Sequence, residues 1–293
     1  IKLENSLVSF GFDKTNGSLV EITDKTTGKQ HLNSEKYSRL FRVVAPSSTW
    51  RGRYADSHRG SHPQFHTSSD EITISYRSLP AQDGELPIEA MVRVVLPENS
   101  QEAFFTLMLT NHGNDKVHEV RFPWIGGWSG LDGEDSDKGI AGCIPLNMYP
   151  DNKNDVIGYA ISGSNRRTYH SSVKMMLPFV DISGKDSGLS YINYSENPRT
   201  GGIVVENLNN EPGGWAYSFS WVHMPFLENT GMWISPAIGI GVHSGDWHAT
   251  ADRYRTWADE WWRPAPTPEK LKESIGFQTV QIRTFEGEPL YSF

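Results

Sequence analysis

The chain has 293 residues, a formal net charge of −8 and 37% hydrophobic residues, with a mean hydropathy of −0.50. No apolar run is long enough to span a bilayer, no basic cluster offers a nucleic-acid footprint, and the single cysteine, Cys143, excludes an intramolecular disulfide and a thiolate metal cluster. Aromatics at 12%, including ten tryptophans, exceed what a core of this size needs, and exposed indoles serve as flat binding platforms.

The chain starts at Ile1 rather than Met, as expected of a processed or trimmed product from which any signal peptide is gone. In the opening "LVSFGFDKTNGSLVEITDKTTGKQHL", Leu7, Ser9 and Gly11 alternate with Val8, Phe10 and Phe12. Leu19 and Ile22 follow a turn in which Asn16 and Gly17 tolerate positive φ, so this is a hairpin, and "KTTGK" makes a second turn at once. Further strands are expected at 38–45, 70–78, 86–96 and 102–111; in "EITISYR" the residues Ile72, Ile74 and Tyr76 recur at period two.

Segment 46–69, rich in Ser, His, Arg and Gly, reads as a long surface loop, and so does 124–155, rich in Gly and Asp. Strands resume at 172–182, 187–194, 201–206, 215–223 and 236–243. Turn signals recur at short intervals, as in a sandwich or barrel of many antiparallel strands. Near 246 the period changes: Asp246 is a good N-cap, and Trp247, Ala251, Tyr254, Trp257, Ala258 and Trp261 fall on one helical face, with Asp252, Arg253, Asp259 and Glu260 largely on the other. Pro264, Pro266 and Pro268 end the helix, and "IGFQTVQIR" forms a last strand with no partner in sequence order.

Several groups of residues invite chemical readings. His58, His62 and His66 have helical ligand spacing, but Gly60, Ser61 and Pro63 oppose a helix, so a surface loop is expected and no metal site. The acidic run Asp132, Glu134, Asp135 and Asp137 lacks the order of a calcium loop and reads as solvated. Glu119, Asp181 and Glu196 are candidate glycosidase carboxylates, each more economically read as structural. No nucleophile elbow or phosphate-cradling loop is present, so no cofactor is implied and the catalytic residues stay unassigned. The aromatic set remains: Trp124, Trp128, Trp215, Trp221 and Trp233 lie in loops and at strand ends, with His223, Arg166 and Arg167 available to hydrogen-bond, and together they form the candidate carbohydrate-binding residues.

Taken together, "NSLVSFGFDKTNGSLVEITDKTTGK", "EVRFPWIGGW" and "SGDWHATADRYRTWADEWWRPAPTPEKLKESIGFQ" resemble landmarks of the N-terminal galactose-mutarotase-like supersandwich of uncharacterised bacterial glycoside hydrolase-like proteins, in which a (β/α)8 barrel follows. The closing segment is the most specific of these. The resemblance implies a mainly β chain: a large antiparallel β-sandwich over 1–245, a linker helix and Pro-rich connector over 246–275, and the first strand of a truncated barrel over 276–293. It further implies an exported, carbohydrate-active parent that binds oligo- or polysaccharide, in the extracellular space or periplasm. In such a protein the barrel carries the chemistry and this non-catalytic region supports it. The competing expectations are a free-standing carbohydrate-binding protein, and a sugar epimerase or lyase acting in the sandwich cleft, which needs His223 or His170 beside a carboxylate.

Overall fold

The computed structural model describes residues 1–32, 37–46, 53–58, 62–129, 132, 136–142, 144–146, 166–170, 177–197, 201–207 and 216–273. The chain opens with a four-stranded antiparallel sheet of β1 (Lys2–Glu4), β2 (Val8–Phe12), β3 (Leu19–Asp24) and β4 (Lys29–Gln30). It then weaves between two larger sheets. One takes β5 (Arg42–Ala45) and β6 (Arg53–Asp56), the other β7 (Gln64–Thr67) and β8 (Glu71–Tyr76). The chain returns to the first for β9 (Leu79–Ala81) and β10 (Gly84–Leu86), and to the second for β11 (Ile88–Val95) and β12 (Glu102–Asn111). β13 (Glu119–Ser129) belongs to the first, β14 (Lys138–Ala141) and β15 (Ile144–Leu146) to the second, and β16 (Arg166–His170) to the first. The last visits are β17 (Phe179–Ser183) and β18 (Gly188–Tyr194) in the second, β19 (Gly201–Asn207) and β20 (Ala216–His223) in the first, and β21 (Met232–Ile234) and β22 (Ala237–His243) in the second.

The first large sheet has eight strands in the order β10-β9-β6-β5-β13-β20-β19-β16. The other has ten: the order β15-β14-β17-β18-β22-β12-β11-β8-β7 is completed by β21, which pairs with β12. Neighbours are antiparallel throughout, so the expected β-sandwich is the observed one.

The alternation of apolar residues explains which face each strand buries. Ile72, Ile74 and Tyr76 of β8, Val92 and Val94 of β11, and Phe105 and Leu107 of β12 enter one core cluster. They meet Val43, Val120, Phe122, Ile203, Val205, Tyr217, Phe219 and Trp221 from the eight-stranded sheet. The small sheet adds Phe10 and Phe12, whose rings lie 5.9 and 6.4 Å from that of Phe105. Its turn is pinned as well: Gly17 has φ +75°, and the Tyr76 hydroxyl beside it donates to Asn16 O at 3.0 Å.

Two segments expected as loops are partly strands. Within 46–69 lie β6 and β7, and within 124–155 lie the end of β13, β14 and β15. β6 is held by cross-strand pairing with β5, including the ion pair of Arg42 with Asp56, which period-based reading does not register. β7 is an edge strand with mostly exposed side chains, so its sequence shows no apolar alternation. Of the expected strand 172–182, β17 supplies the described part.

The contacts divide the chain into two units, Ile1–Trp257 and Ala258–Phe293. Helix α1 (His248–Trp261) begins where Asp246 Oδ1 accepts the His248 N–H at 3.1 Å. In the first unit it covers the outer face of the ten-stranded sheet, with Thr250 buried, Tyr254 against Phe179 and Trp257 against Tyr194. Arg253 was expected on the solvent side but points inward. It donates to Ser190 Oγ and to Val242 O, both at 2.7 Å. Gly241 makes this possible, since a Cβ there would lie 2.7 Å from Arg253 Nη1. In the second unit the described residues are the end of α1, an extended Pro-containing segment and the short α2 (Glu269–Lys272). The terminal strand expected at 276–293 lies outside the described residues. Among the described residues, no helix is long and apolar enough to cross a membrane.

Candidate functional site

Strands alternate their side chains, so the eight-stranded sheet has a second face turned away from the core. Its register sets Asp56 opposite Arg42, Arg42 opposite Arg121, Arg121 opposite Val222, Val222 opposite Gly202 and Gly202 opposite His170. A parallel row runs from Trp124 through Ser220 and Val204 to Thr168. The β13 ladder slips between Arg121 and Trp124, and their partners, Val222 and Ser220, are two residues apart on β20. The slip therefore brings Arg121 and Trp124 to one face, which strict alternation would have separated.

The charges on this face are paired. Arg42 Nε and Nη2 donate to the two oxygens of Asp56 at 2.5 and 3.1 Å, a bidentate fork. Burial opposes the Arg42 charge, but Asp56, with Glu206 and Tyr54 adding to it, offsets that penalty, so the guanidinium is held above its ordinary pKa. Arg121, buried, donates from Nε to Glu119 Oε1 at 2.8 Å, and its Nη1 lies 3.7 Å from Glu206 Oε1. Ser218 Oγ donates to Glu206 Oε2 at 3.2 Å.

Trp124 joins these groups. The guanidinium carbons of Arg42 and Arg121 lie 4.7 and 5.6 Å from its ring centroid, distances at which a cation is drawn to an indole π-cloud. Trp124 is only 5% exposed, yet it stands outside the core cluster. Its Nε1 and Arg121 Nη1 are both buried and meet no hydrogen-bond partner. A buried donor left without an acceptor costs on the order of 1–3 kcal/mol. Trp128 and Trp221 carry such an Nε1 inside the core, and what sets Trp124 apart is that its donor stands beside paired charges outside that core. A cavity of about 310 Å³ elsewhere, lined by Leu86, Pro87, Ile88, Asn111 and Asp115 among others, shares no residue with this group.

The structure disperses the aromatic set expected from sequence. Of the described members of that set, Trp124 alone lies on the polar face. Trp128 and Trp221, 0% and 2% exposed, are core residues: Trp128 packs on Tyr217 and Phe219, and Trp221 packs on Tyr191. Neither presents an open indole face, because each falls on the inward side of its strand. Trp233 is half-buried on β21, its ring 5.4 Å from that of His223. His223 Nε2 lies 2.9 Å from Phe122 O, and burial lowers its pKa to about 4 although that hydrogen bond works the other way. Trp215 lies outside the described residues, and of Arg166 and Arg167 only the backbone positions on β16 are described, opposite Glu206 and Val205.

Arg42, Asp56, Arg121 and Glu206 were not singled out from sequence, and Glu119 was named only as a candidate carboxylate with a structural reading preferred. The available signal was a charged residue inside an apolar strand, Arg42 in "LFRVV" and Arg121 in "EVRFP". Asp132 of the acidic run pairs with Lys29, and its backbone N–H donates to Asp137 Oδ1 at 2.9 Å. His66 lies on β7 opposite Thr73, and among the described residues no group of His, Cys, Asp or Glu gathers as metal ligands.

Comparison with known proteins gives no matching family model and no match among curated proteins. Solved structures do match. A galactose mutarotase related enzyme from Lactobacillus acidophilus superposes with a TM-score of 0.55 at 9% identity, over 83% of this chain and 97% of that one. A galactose mutarotase-like protein from Lactobacillus casei gives 0.54 at 12% identity, over 83% of this chain and 99% of that one. An alpha-mannosidase from Enterococcus faecalis gives 0.53 at 15% identity, over 88% of this chain but 31% of that one. At such identities the likeness is one of fold, and in fold the chain is a galactose-mutarotase-like β-sandwich.

Proposed function

We propose that this chain is a carbohydrate-binding, non-catalytic sandwich region of a glycoside hydrolase-like protein, and that the polar face of the eight-stranded sheet is where glycan binds. The observation that carries the reading is Trp124, within reach of two carboxylate-paired guanidinium groups, with its own N–H and that of Arg121 Nη1 lacking acceptors. Sugar hydroxyls supply acceptor oxygens for such donors and protons for the flanking carboxylates. The occurrence of the fold in proteins named for galactose mutarotation and in an alpha-mannosidase supports the same reading.

In this proposal residues 1–245 form the binding and supporting sandwich, 246–275 the connector, and 276–293 the first strand of a downstream barrel that carries the chemistry in an exported parent protein. An epimerase acting in the sandwich cleft would need His223 or His170 facing a carboxylate there. His223 faces the Phe122 carbonyl instead, the His170 side chain lies outside the described residues, and His243, which does meet Asp181, is buried with it beneath α1.

The test is a glycan array probed with the chain, followed by calorimetric titration of each hit. Binding that is lost in Trp124→Ala while the fold persists supports the proposal. Absence of binding across neutral and acidic glycans overturns it. The gene's reading frame beyond Phe293 and fractionation of the native protein test the barrel and the export.

A further inference from the structure

On the reading of this face as a glycan site, we infer that it selects uncharged sugars over acidic ones, and that Glu206 is the residue that sets the preference. The charges argue it. Among the described side chains of this face, Asp56, Glu119 and Glu206 stand against Arg42 and Arg121. Each guanidinium whose contacts are described already has its carboxylate, Arg42 through a two-pronged fork and Arg121 through Glu119 at 2.8 Å. Among the described residues of this face, three carboxylates therefore face two guanidinium groups, and no surplus positive charge is left to hold an anion.

A uronate carboxylate paired with the buried, unpartnered Nη1 of Arg121 would have to sit beside Glu206 Oε1, which is only 3.7 Å from that nitrogen. Two carboxylates sharing one site repel, and in a partly buried place screening by salt is weak. A hydroxyl meets no such penalty. Its oxygen accepts from Trp124 Nε1 or Arg121 Nη1, and its proton goes to a carboxylate, so both halves of the group are used. Ser218, which donates to Glu206 Oε2, holds that carboxylate in place.

The experiment pairs neutral and acidic ligands of equal length: galacto- against galacturono-oligosaccharides, and manno- against mannurono-oligosaccharides, titrated calorimetrically at pH 7 into the chain and into Glu206→Gln. The amide keeps the size of the side chain and its acceptor for Ser218 while removing the charge. The wild type is expected to bind a neutral member at least tenfold tighter than its acidic partner, and Glu206→Gln to narrow that ratio at least tenfold. Wild-type binding of the acidic member as tight as the neutral one overturns the inference and leaves the glycan reading standing. Binding of neither member of either pair overturns both. If Glu206→Gln does not fold, as judged by its melting transition, Glu119→Gln removes the other carboxylate on Arg121. An unchanged ratio in a folded variant counts against the charge argument.

Discussion

Thr250, on the first turn of α1, donates its hydroxyl hydrogen to Asp181 Oδ2 at 2.5 Å, and both residues are closed off from solvent. The same oxygen lies 2.7 Å from His243 Nε2, and Ser183 Oγ donates to the other carboxylate oxygen. A carboxylate so placed is tolerable only when its acceptors are filled. Thr250→Val keeps the shape and removes one donor, so it is expected to lower stability by about 1–3 kcal/mol, seen as a drop of several degrees in Tm, while Thr250→Ser retains most of it. Equal Tm for Val and wild type would falsify the role given to this hydroxyl.

Trp257 anchors the helix two turns further on. Its ring lies 5.3 Å from that of Tyr194, in an edge-on arrangement, and 5.5 Å from that of Tyr254. Trp257→Ala is expected to destabilise the first unit by about 2 kcal/mol, somewhat less than a fully buried indole because the side chain is only half-covered. Calorimetric melting checks it; an unchanged transition removes the helix from the list of stabilising elements.

Acid sensitivity has an identifiable source. Burial lowers the pKa of His31 and of His223 to about 4, against 6.5 for an unperturbed side chain. Both are neutral in the folded protein, so between pH 6.5 and 4 the unfolded chain binds protons that the folded chain does not. Stability therefore falls as pH drops through that window, by up to about 3 kcal/mol per histidine. Glu102 acts in the opposite sense: burial raises its pKa, against the pull of Arg253 and the Tyr194 hydroxyl, so its contribution declines as pH rises above the ordinary carboxylate value. Comparing wild type with His223→Gln in urea melts at pH 4.5, 5.5 and 6.5 cancels the Glu102 contribution. The variant is expected to show the shallower dependence, by about one proton; parallel curves would exclude His223 as a source.

The first hairpin is tied to the sandwich through Gly17. A Cβ there would stand 2.1 Å from the Tyr76 hydroxyl, on a backbone with φ +75°. Gly17→Ala is expected to cost about 1–3 kcal/mol, the left-handed conformation and the displaced hydrogen bond both contributing. Tyr76→Phe removes the hydroxyl that the new methyl would strike. The double variant should thus be less destabilised than the two single changes added together, and strict additivity in denaturant melts would count against the contact.

Where local chemistry decides, the sequence was readable. Asn16-Gly17 turns because only a few residues accept positive φ, Ile72, Ile74 and Tyr76 alternate because β8 has one buried side, and Asp246 starts a helix because its carboxylate takes the free N–H of His248. The fold resemblance rested on landmarks of this local kind. The polar face was harder to see, since Arg42, Asp56, Arg121 and Glu206 come together only through pairing among β5, β6, β13, β19 and β20, at separations that periodicity does not reach. The ladder slip between Arg121 and Trp124 hid their common face further. Helical spacing alone likewise put Arg253 in solvent, because the glycine that makes room for it lies on another element.

The inward reach of Arg253 bears on where this polypeptide can be cut. A fragment ending at residue 245 would strip away Thr250 and Arg253 together, leaving Asp181 short of a donor, Ser190 and the Val242 carbonyl short of theirs, and Glu102 without its nearby cation. What had been a roofed floor of polar groups would become an open wound in a β-surface, prone to pair with other molecules. The smallest piece able to stand alone therefore keeps the helix at least through Trp257, and the sandwich carries its own lid as an integral part.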